Sequence, residues 1–198
     1  MKKIFILLSF ILSGFGLMSQ SASISGRITK VDDQPMPGVT VQALDDSGAI
    51  VAAVQTNGAG EFVLSGLPIG ATYTIQPLLD VWPLNGVSTF DMILGARHIL
   101  GLEPLDNPYY ILAGDVNNSQ NLTTYDLVIM RQVILQLADA FSDSPSWRFY
   151  RNDMGFLDPS NPWMGYMGGV NFVQLNDDLA GFDFIGVKMG DLNGDAQP

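Results

Sequence analysis

Residues 85–100, NGVSTFDMILGARHIL, and residues 120–135, QNLTTYDLVIMRQVIL, superpose when one is slid along the chain by 35 positions. Val87 meets Leu122, Ser88 meets Thr123, Phe90 meets Tyr125 and Asp91 meets Asp126. The apolar residues Met92, Ile93 and Leu94 meet Leu127, Val128 and Ile129. A duplication constrains folding twice over, because what one copy forms the other must be able to form as well. After the aspartate each copy carries apolar residues at a 3.6-residue period, at 92, 93, 96, 99 and 100 and at 127, 128, 130, 133, 134, 135 and 137, which predicts a helix in each. Gly101 is expected to end the first helix. The apolar excess of both suits two helices packed on each other, with a short connecting helix through 108–113.

Ahead of the second helix lies DVNNSQNLTTYD, residues 115–126. An EF-hand-type loop takes oxygens from positions 1, 3 and 5, a backbone carbonyl at 7, often a water at 9, and a carboxylate at 12. Counted from Asp115, these are Asp115, Asn117, Ser119, the Asn121 carbonyl, Thr123 and Asp126. All are hard oxygen donors, the set that Ca²⁺ prefers. Two departures stand out: position 6 is Gln120 rather than glycine, and position 12 is Asp rather than Glu. The competing reading is a polar turn that Asp126 caps. In the first copy Asp80 falls at position 1, Gly86 at 7, Ser88 at 9 and Asp91 at 12, but Trp82 and Leu84 occupy positions 3 and 5. That is half a site. The C-terminal GDLNGDAQP offers Asp191, Asn193 and Asp195 at the spacing of positions 1, 3 and 5, with no position 12. The two halves are expected to combine and clip the C-terminal strand onto the first helix. The rival reading is a chain cut from a longer protein.

Residues 23–78 alternate apolar and polar residues over 23–30, 39–44, 50–56, 61–64 and 72–76. Turn-forming breaks at 32–33, 35–38, 45–48, 57–60 and 67–70 separate them. Short strands at this spacing predict a small antiparallel β-sandwich. Beyond residue 140, Trp147, Phe149, Tyr150, Phe156, Trp163, Tyr166, Phe172, Phe182 and Phe184 make an aromatic-rich region with short strands in SWRFYRND and FDFIGVKMGD. These aromatics, with Met154, Met164 and Met167 as filler or loop residues, are expected to form a small core. Sugar binding is not expected.

The stretches SGRITKVDDQPMPGVTVQALDDSG and TNGAGEFVLSGLPIGATYTI resemble the bacterial carboxypeptidase-regulatory-like or Cna-B-like sandwich. That resemblance implies a spacer or stalk. The isopeptide bond of some relatives would need a Lys, an Asn and a buried acid; Lys30 and Glu61 are present, but Lys30 is expected to be solvated. Residues 80–137 resemble a type I dockerin, two calcium loop–helix motifs with a connecting segment. This implies Ca²⁺ as cofactor. It also implies a possible cohesin-like partner at Thr89, Phe90, Thr124 and Tyr125, with Arg97 and Arg131 on the helices. The expected fold is multidomain β + α: a leader over 1–22, the sandwich over 23–78, a small α-helical dockerin-like domain over 79–140, and a β-rich extension over 141–198 with the C-terminal half-loop.

Lys2 and Lys3, followed by the apolar run Ile4–Leu12, have the layout of a secretory signal peptide, with cleavage between Ser19 and Ser23. The run is too short to span a membrane, so a secreted or cell-surface location is expected, with no membrane span after cleavage. The chain has no cysteine, which excludes disulfides, thiolate metal sites and a lipidated cysteine. Its formal net charge of −11 is a poor match for nucleic acid and a good one for metal cations. His98 is the only histidine, at helical spacing among apolar neighbours, and no nucleophile–base pair accompanies it. Catalysis is not expected. Two functional classes stay open: a calcium-stapled structural spacer, and a docking module of a polysaccharide-degrading system.

Overall fold

Period-two alternation in the first part of the chain becomes five strands: β1 Ser21–Lys30, β2 Thr40–Leu44, β3 Ile50–Gln55, β4 Glu61–Pro68 and β5 Thr72–Leu78. Three helices follow, α1 Thr89–Ile99, α2 Pro108–Gly114 and α3 Thr124–Ile134, and then β6 Trp147–Arg151, β7 Phe172–Gln174 and β8 Phe184–Lys188. This computed structural model describes residues 20–153, 155–164 and 171–198. The apolar leader up to residue 19, Met154, Tyr166 and Met167 lie outside them. Ser21 and Ala22, assigned by sequence to the leader, open β1 and pair with Pro68 and Leu67.

The strands form two four-stranded sheets, ordered β4-β1-β8-β6 and β3-β2-β5-β7. Apolar side chains that alternate along the strands meet between the sheets: Ile24 and Ile28 of β1, Val41 and Ala43 of β2, Phe62 and Leu64 of β4, Tyr73 and Ile75 of β5. Burying each of the large ones stabilises the fold by roughly 1.5–3 kcal/mol.

The region beyond 140 is not a separate extension. β8 lies in register beside β1, with Ile28 opposite Phe184 and Lys30 opposite Gly186, and β6 pairs antiparallel with β8. β7 adds to the other sheet through Thr72–Gln174 and Thr74–Phe172. The physical reason is the second edge of β1. β4 covers one edge, and without β8 the other would leave its ladder groups unpaired. Because β1 and β8 run parallel, the sandwich is not wholly antiparallel, and the helices are inserted between β5 and β6.

All five residues of β8 are buried. Phe184 joins the core between the sheets, while Ile185 and Val187 pack with Leu112 and Ala113 of α2. Burial on both faces explains why this strand reads as a continuous apolar run. The helices have a third cluster of their own, with Val87, Ile111, Leu122, Met130, Val133 and Leu192. Trp147, Tyr150, Phe182 and Phe184 are buried, whereas Phe172 is exposed. Among the described residues no helix is long and apolar enough to cross a membrane.

A fragment ending at Asp80 keeps β1–β5 but strips β8 from β1 and Trp147 and Phe184 from the core. It is expected to show no cooperative thermal transition by circular dichroism. A sharp transition in that fragment would mean that five strands suffice.

Candidate metal centre

The two helices of the repeat start identically. Ser88 caps α1 and Thr123 caps α3, each side-chain oxygen accepting from a backbone N–H of the first turn. Asp91 Oδ2 accepts from the N–H and Oγ of Ser88 at 2.8 and 2.9 Å. Asp126 Oδ2 accepts from the N–H and Oγ1 of Thr123 at the same distances. These are capping boxes with Asp in place of Glu, so the capping proposed for Asp126 is real. Both carboxylates are fully buried. Their second oxygens then diverge. Asp126 Oδ1 accepts from Asn117 N–H within its own loop, at 3.3 Å. Asp91 Oδ1 accepts from Leu192 N–H, 101 residues away, at 2.8 Å.

In the continuous loop Asp115 is buried and accepts from Ser119 N–H at 2.8 Å and Gln120 N–H at 2.9 Å. Asn117 Oδ1 accepts from Ser119 N–H at 3.0 Å, and Ser119 Oγ donates to the Asn121 carbonyl at 3.2 Å. Oxygens of Asp115, Asn117, Ser119, Asn121 and Asp126 are thereby gathered along one turn. Thr123 is committed to the helix cap. Gln120 has φ 62°, so position 6 takes the left-handed backbone that glycine would adopt without strain.

The C-terminal half-loop repeats this geometry. Asp191 Oδ2 accepts from Ala196 N–H at 2.9 Å, as Asp115 does from Gln120. Asn193 Oδ1 accepts from Asp195 N–H at 3.2 Å, as Asn117 does from Ser119. Asp191 Oδ1 takes Gly194 N–H at 2.7 Å as well. This turn lies against the first repeat. Gly86 has φ 73°, and a Cβ there would come within 2.6 Å of Ala196. Gln197 N–H donates to Asn85 Oδ1 at 3.2 Å, and Asn85 Nδ2 donates back to the Gln197 carbonyl. The structure therefore brings the 85–91 segment against the 191–197 turn, with Asp91 and Asp191 close enough to interact. Asp80 belongs to neither: it is exposed and accepts from Ser146 N–H at 3.3 Å. Leu84 packs on the helical cluster, while Trp82 is exposed.

Burial pushes the Asp115 carboxyl above its ordinary range, and Asp126 adds to this; N–H bonds from Ser119 and Gln120 and the charge of Arg148 oppose it. Asp191 is raised in the same way, by burial first and then by Asp91. Each turn thus holds two buried carboxylates, and among the described residues none of the four forms an ion pair with a basic side chain. A divalent cation would relieve both the burial and the repulsion. Carboxylate, amide, hydroxyl and carbonyl oxygens fit calcium. Among the described residues no three His, Cys, Asp or Glu cluster to hold a metal, so each donor set must draw on its neutral oxygens.

Thr89, Phe90, Thr124 and Tyr125 are exposed at the helix starts, and Arg97 and Arg131 are exposed further along. Arg97 pairs with Glu103 at 2.5 Å. The exposed apolar residues follow the repeat: Phe90 with Tyr125, Ile93 with Val128, Leu100 with Leu135, and Leu102 with Leu137. His98 Nδ1 accepts from Leu105 N–H at 3.0 Å, which requires a neutral imidazole. Lys30, expected in solvent, is buried; it reaches the Ala196 carbonyl at 3.1 Å and Asp32 at 3.2 Å. Glu61 instead bonds Asn57. Sequence reasoning missed Lys188, whose one signal is a charge inside an apolar strand.

Residues 23–77 match the model of the carboxypeptidase regulatory-like domain. That segment is a carboxypeptidase regulatory-like domain, and it supplies β1–β5 of the sandwich. No curated protein matches the chain.

Two predictions follow from the turn geometry and the burial. Gln120→Gly removes left-handed strain of about 1 kcal/mol, so its melting temperature is expected to match or exceed wild type; a drop of several degrees would contradict this. Asp115 has a folded pKa above its unfolded value, so its charged form opposes folding at neutral pH, and the opposition fades as pH falls through the folded pKa. In chelator, Asp115→Asn is therefore expected to gain stability relative to wild type as pH rises from 4 to 7. A difference independent of pH in denaturant titrations would remove the burial argument.

Proposed function

We propose that the chain is a non-catalytic, exported, calcium-binding module that acts as a structural spacer or accessory part of a surface or secreted protein. Calcium sits in two dockerin-like loops, one continuous over 115–126 and one composite, from 86–91 and 191–195. The observation that carries this reading is the shared pattern of the two turns: Asp191 Oδ2 accepts from Ala196 N–H as Asp115 Oδ2 does from Gln120 N–H, and Asn193 Oδ1 accepts from Asp195 N–H as Asn117 Oδ1 does from Ser119 N–H. Carboxypeptidase regulatory-like strands supply most of a rigid body, and calcium fastens the helices and the C-terminal turn to it.

Calcium titration by calorimetry is expected to find two ions per chain, and one in either Asp191→Ala or Asp115→Ala. One ion in wild type, unchanged in Asp191→Ala, would remove the composite site. At calcium a hundredfold above the dissociation constant, each occupied site stabilises the fold by about 2.7 kcal/mol. Chelation should then lower the melting temperature by several degrees, and an unchanged value would count against both loops.

The repeat-matched exposed pairs favour a second reading, docking onto a cohesin-like partner, as in polysaccharide degradation. Phe90 and Tyr125 are 52 % and 63 % exposed, more than a spacer needs. Calcium-dependent capture of a cohesin-like domain, lost in Phe90→Ala/Tyr125→Ala, would support docking; equal capture by that variant would not.

A further inference from the structure

Two buried lysines of the sandwich reach the composite loop from beneath. Lys188, at the end of β8, is 3 % exposed, and its Nζ donates to the carbonyls of Pro83 at 2.7 Å and Met189 at 3.4 Å. Lys30 of β1 donates to the Ala196 carbonyl at 3.1 Å. The two segments whose meeting makes the composite loop are therefore each tied to a lysine, one just before Asn85 and Gly86, the other on either side of Asp191. Lys30, Lys188, Asp191, Gly194 and Ala196 line one cavity of about 20 Å³, so both lysines and the loop border the same small space. The continuous loop has no buried lysine; the cation acting on Asp115 is Arg148, which is only half-buried.

Counting buried carboxylates alone would not separate the two sites, since the composite loop holds Asp91 and Asp191 and the continuous one Asp115 and Asp126, and calcium affinity follows ligand charge. The lysines break that tie. We infer, on the two-loop reading above, that Lys188 is a resident counter-ion of the composite loop: it holds the two segments together without metal, and its charge makes calcium bind there more weakly than at 115–126. Burial lowers the Lys188 ammonium to about 8, with Asp191 and Asp80 opposing the fall, so the group still carries its charge at neutral pH.

The test is a calcium titration of wild type, Asp191→Ala, Asp115→Ala and Lys188→Met. The weaker of two wild-type sites should be the one lost in Asp191→Ala. Lys188→Met should tighten that site by about tenfold or more and leave the stronger one unchanged. If the weaker site is instead the one lost in Asp115→Ala, or if Lys188→Met changes neither constant, the counter-ion role is overturned while the two-loop reading stands. One ion in wild type and in Asp191→Ala would remove that reading and this inference with it. Should Lys188→Met fail to fold by circular dichroism, Lys30→Met decides: tightening of the weaker site by about threefold supports the role, and no change overturns it.

Discussion

β8 has five residues, and all of them are buried. It lies between β1 and β6 in one sheet, contributes Phe184 to the core between the sheets, and presents Ile185 and Val187 to α2. Its last residue, Lys188, holds the chain that enters α1 through Pro83, and three residues later Asp191 opens the C-terminal turn. A slip of one residue in the β1–β8 register would exchange the two faces. It would bring Ile185 inward, take Phe184 out of the core, and pull Leu192 away from Asp91. Closing the sandwich and assembling the composite loop are therefore a single geometric constraint.

What was legible in the sequence is what local chemistry dictates. The repeat placed α1 and α3 because an apolar 3.6 period follows the aspartate in each copy, while Ser88 and Thr123, read as loop oxygens, also cap the helices. The EF-hand spacing exposed the oxygen ladder of 115–126 and the matching half at 191–195. The strands of the sandwich were legible from their alternation, but the joining of β7 and β8 to them was not. β7 has three residues and no alternation strong enough to notice, and β8 looks like any buried apolar run. The strands of the first half that they join, β5 and β1, lie about a hundred residues or more away, so only tertiary packing selects them. The left-handed residues were missed for a different reason. Gln136, with φ 56°, ends α3 where its repeat partner Gly101, with φ 66°, ends α1. Leu137 N–H then reaches back to the Gln132 carbonyl, as Leu102 N–H does to that of Arg97. Packing imposes the turn on a residue whose own preference would not disclose it; aligning the two copies would have.

Capping and metal binding are not competing explanations of Asp91 and Asp126. A carboxylate that fixes the first turn of a helix keeps lone pairs free, and the N–H bonds hold it where a loop oxygen is needed. Capping does not explain Asp115 and Asp191. Each lies outside the helix start, buried, facing a second buried carboxylate and organised by backbone N–H groups of its own turn. Holding two such charges together, with no ion pair to either among the described residues, is costly, and this cost is the physical ground for reading the turns as calcium loops.

The two loops differ in what must fold first. The continuous one closes within twelve residues, so its geometry can form with the helix it precedes. The composite one joins segments 101 residues apart, and a free chain would lose more entropy in closing so large a loop, by an amount that grows as the logarithm of its length. Pairing of β8 with β1 meets that loss as part of forming the sandwich, after which Asp191 is already near Asp91. On the proposed reading, calcium at 115–126 stabilises a local motif, whereas calcium at the composite loop binds only a chain whose sandwich has closed. The second site is thereby thermodynamically linked to the whole fold, and Lys30 and Lys188, which belong to the sandwich, are the residues through which that linkage acts.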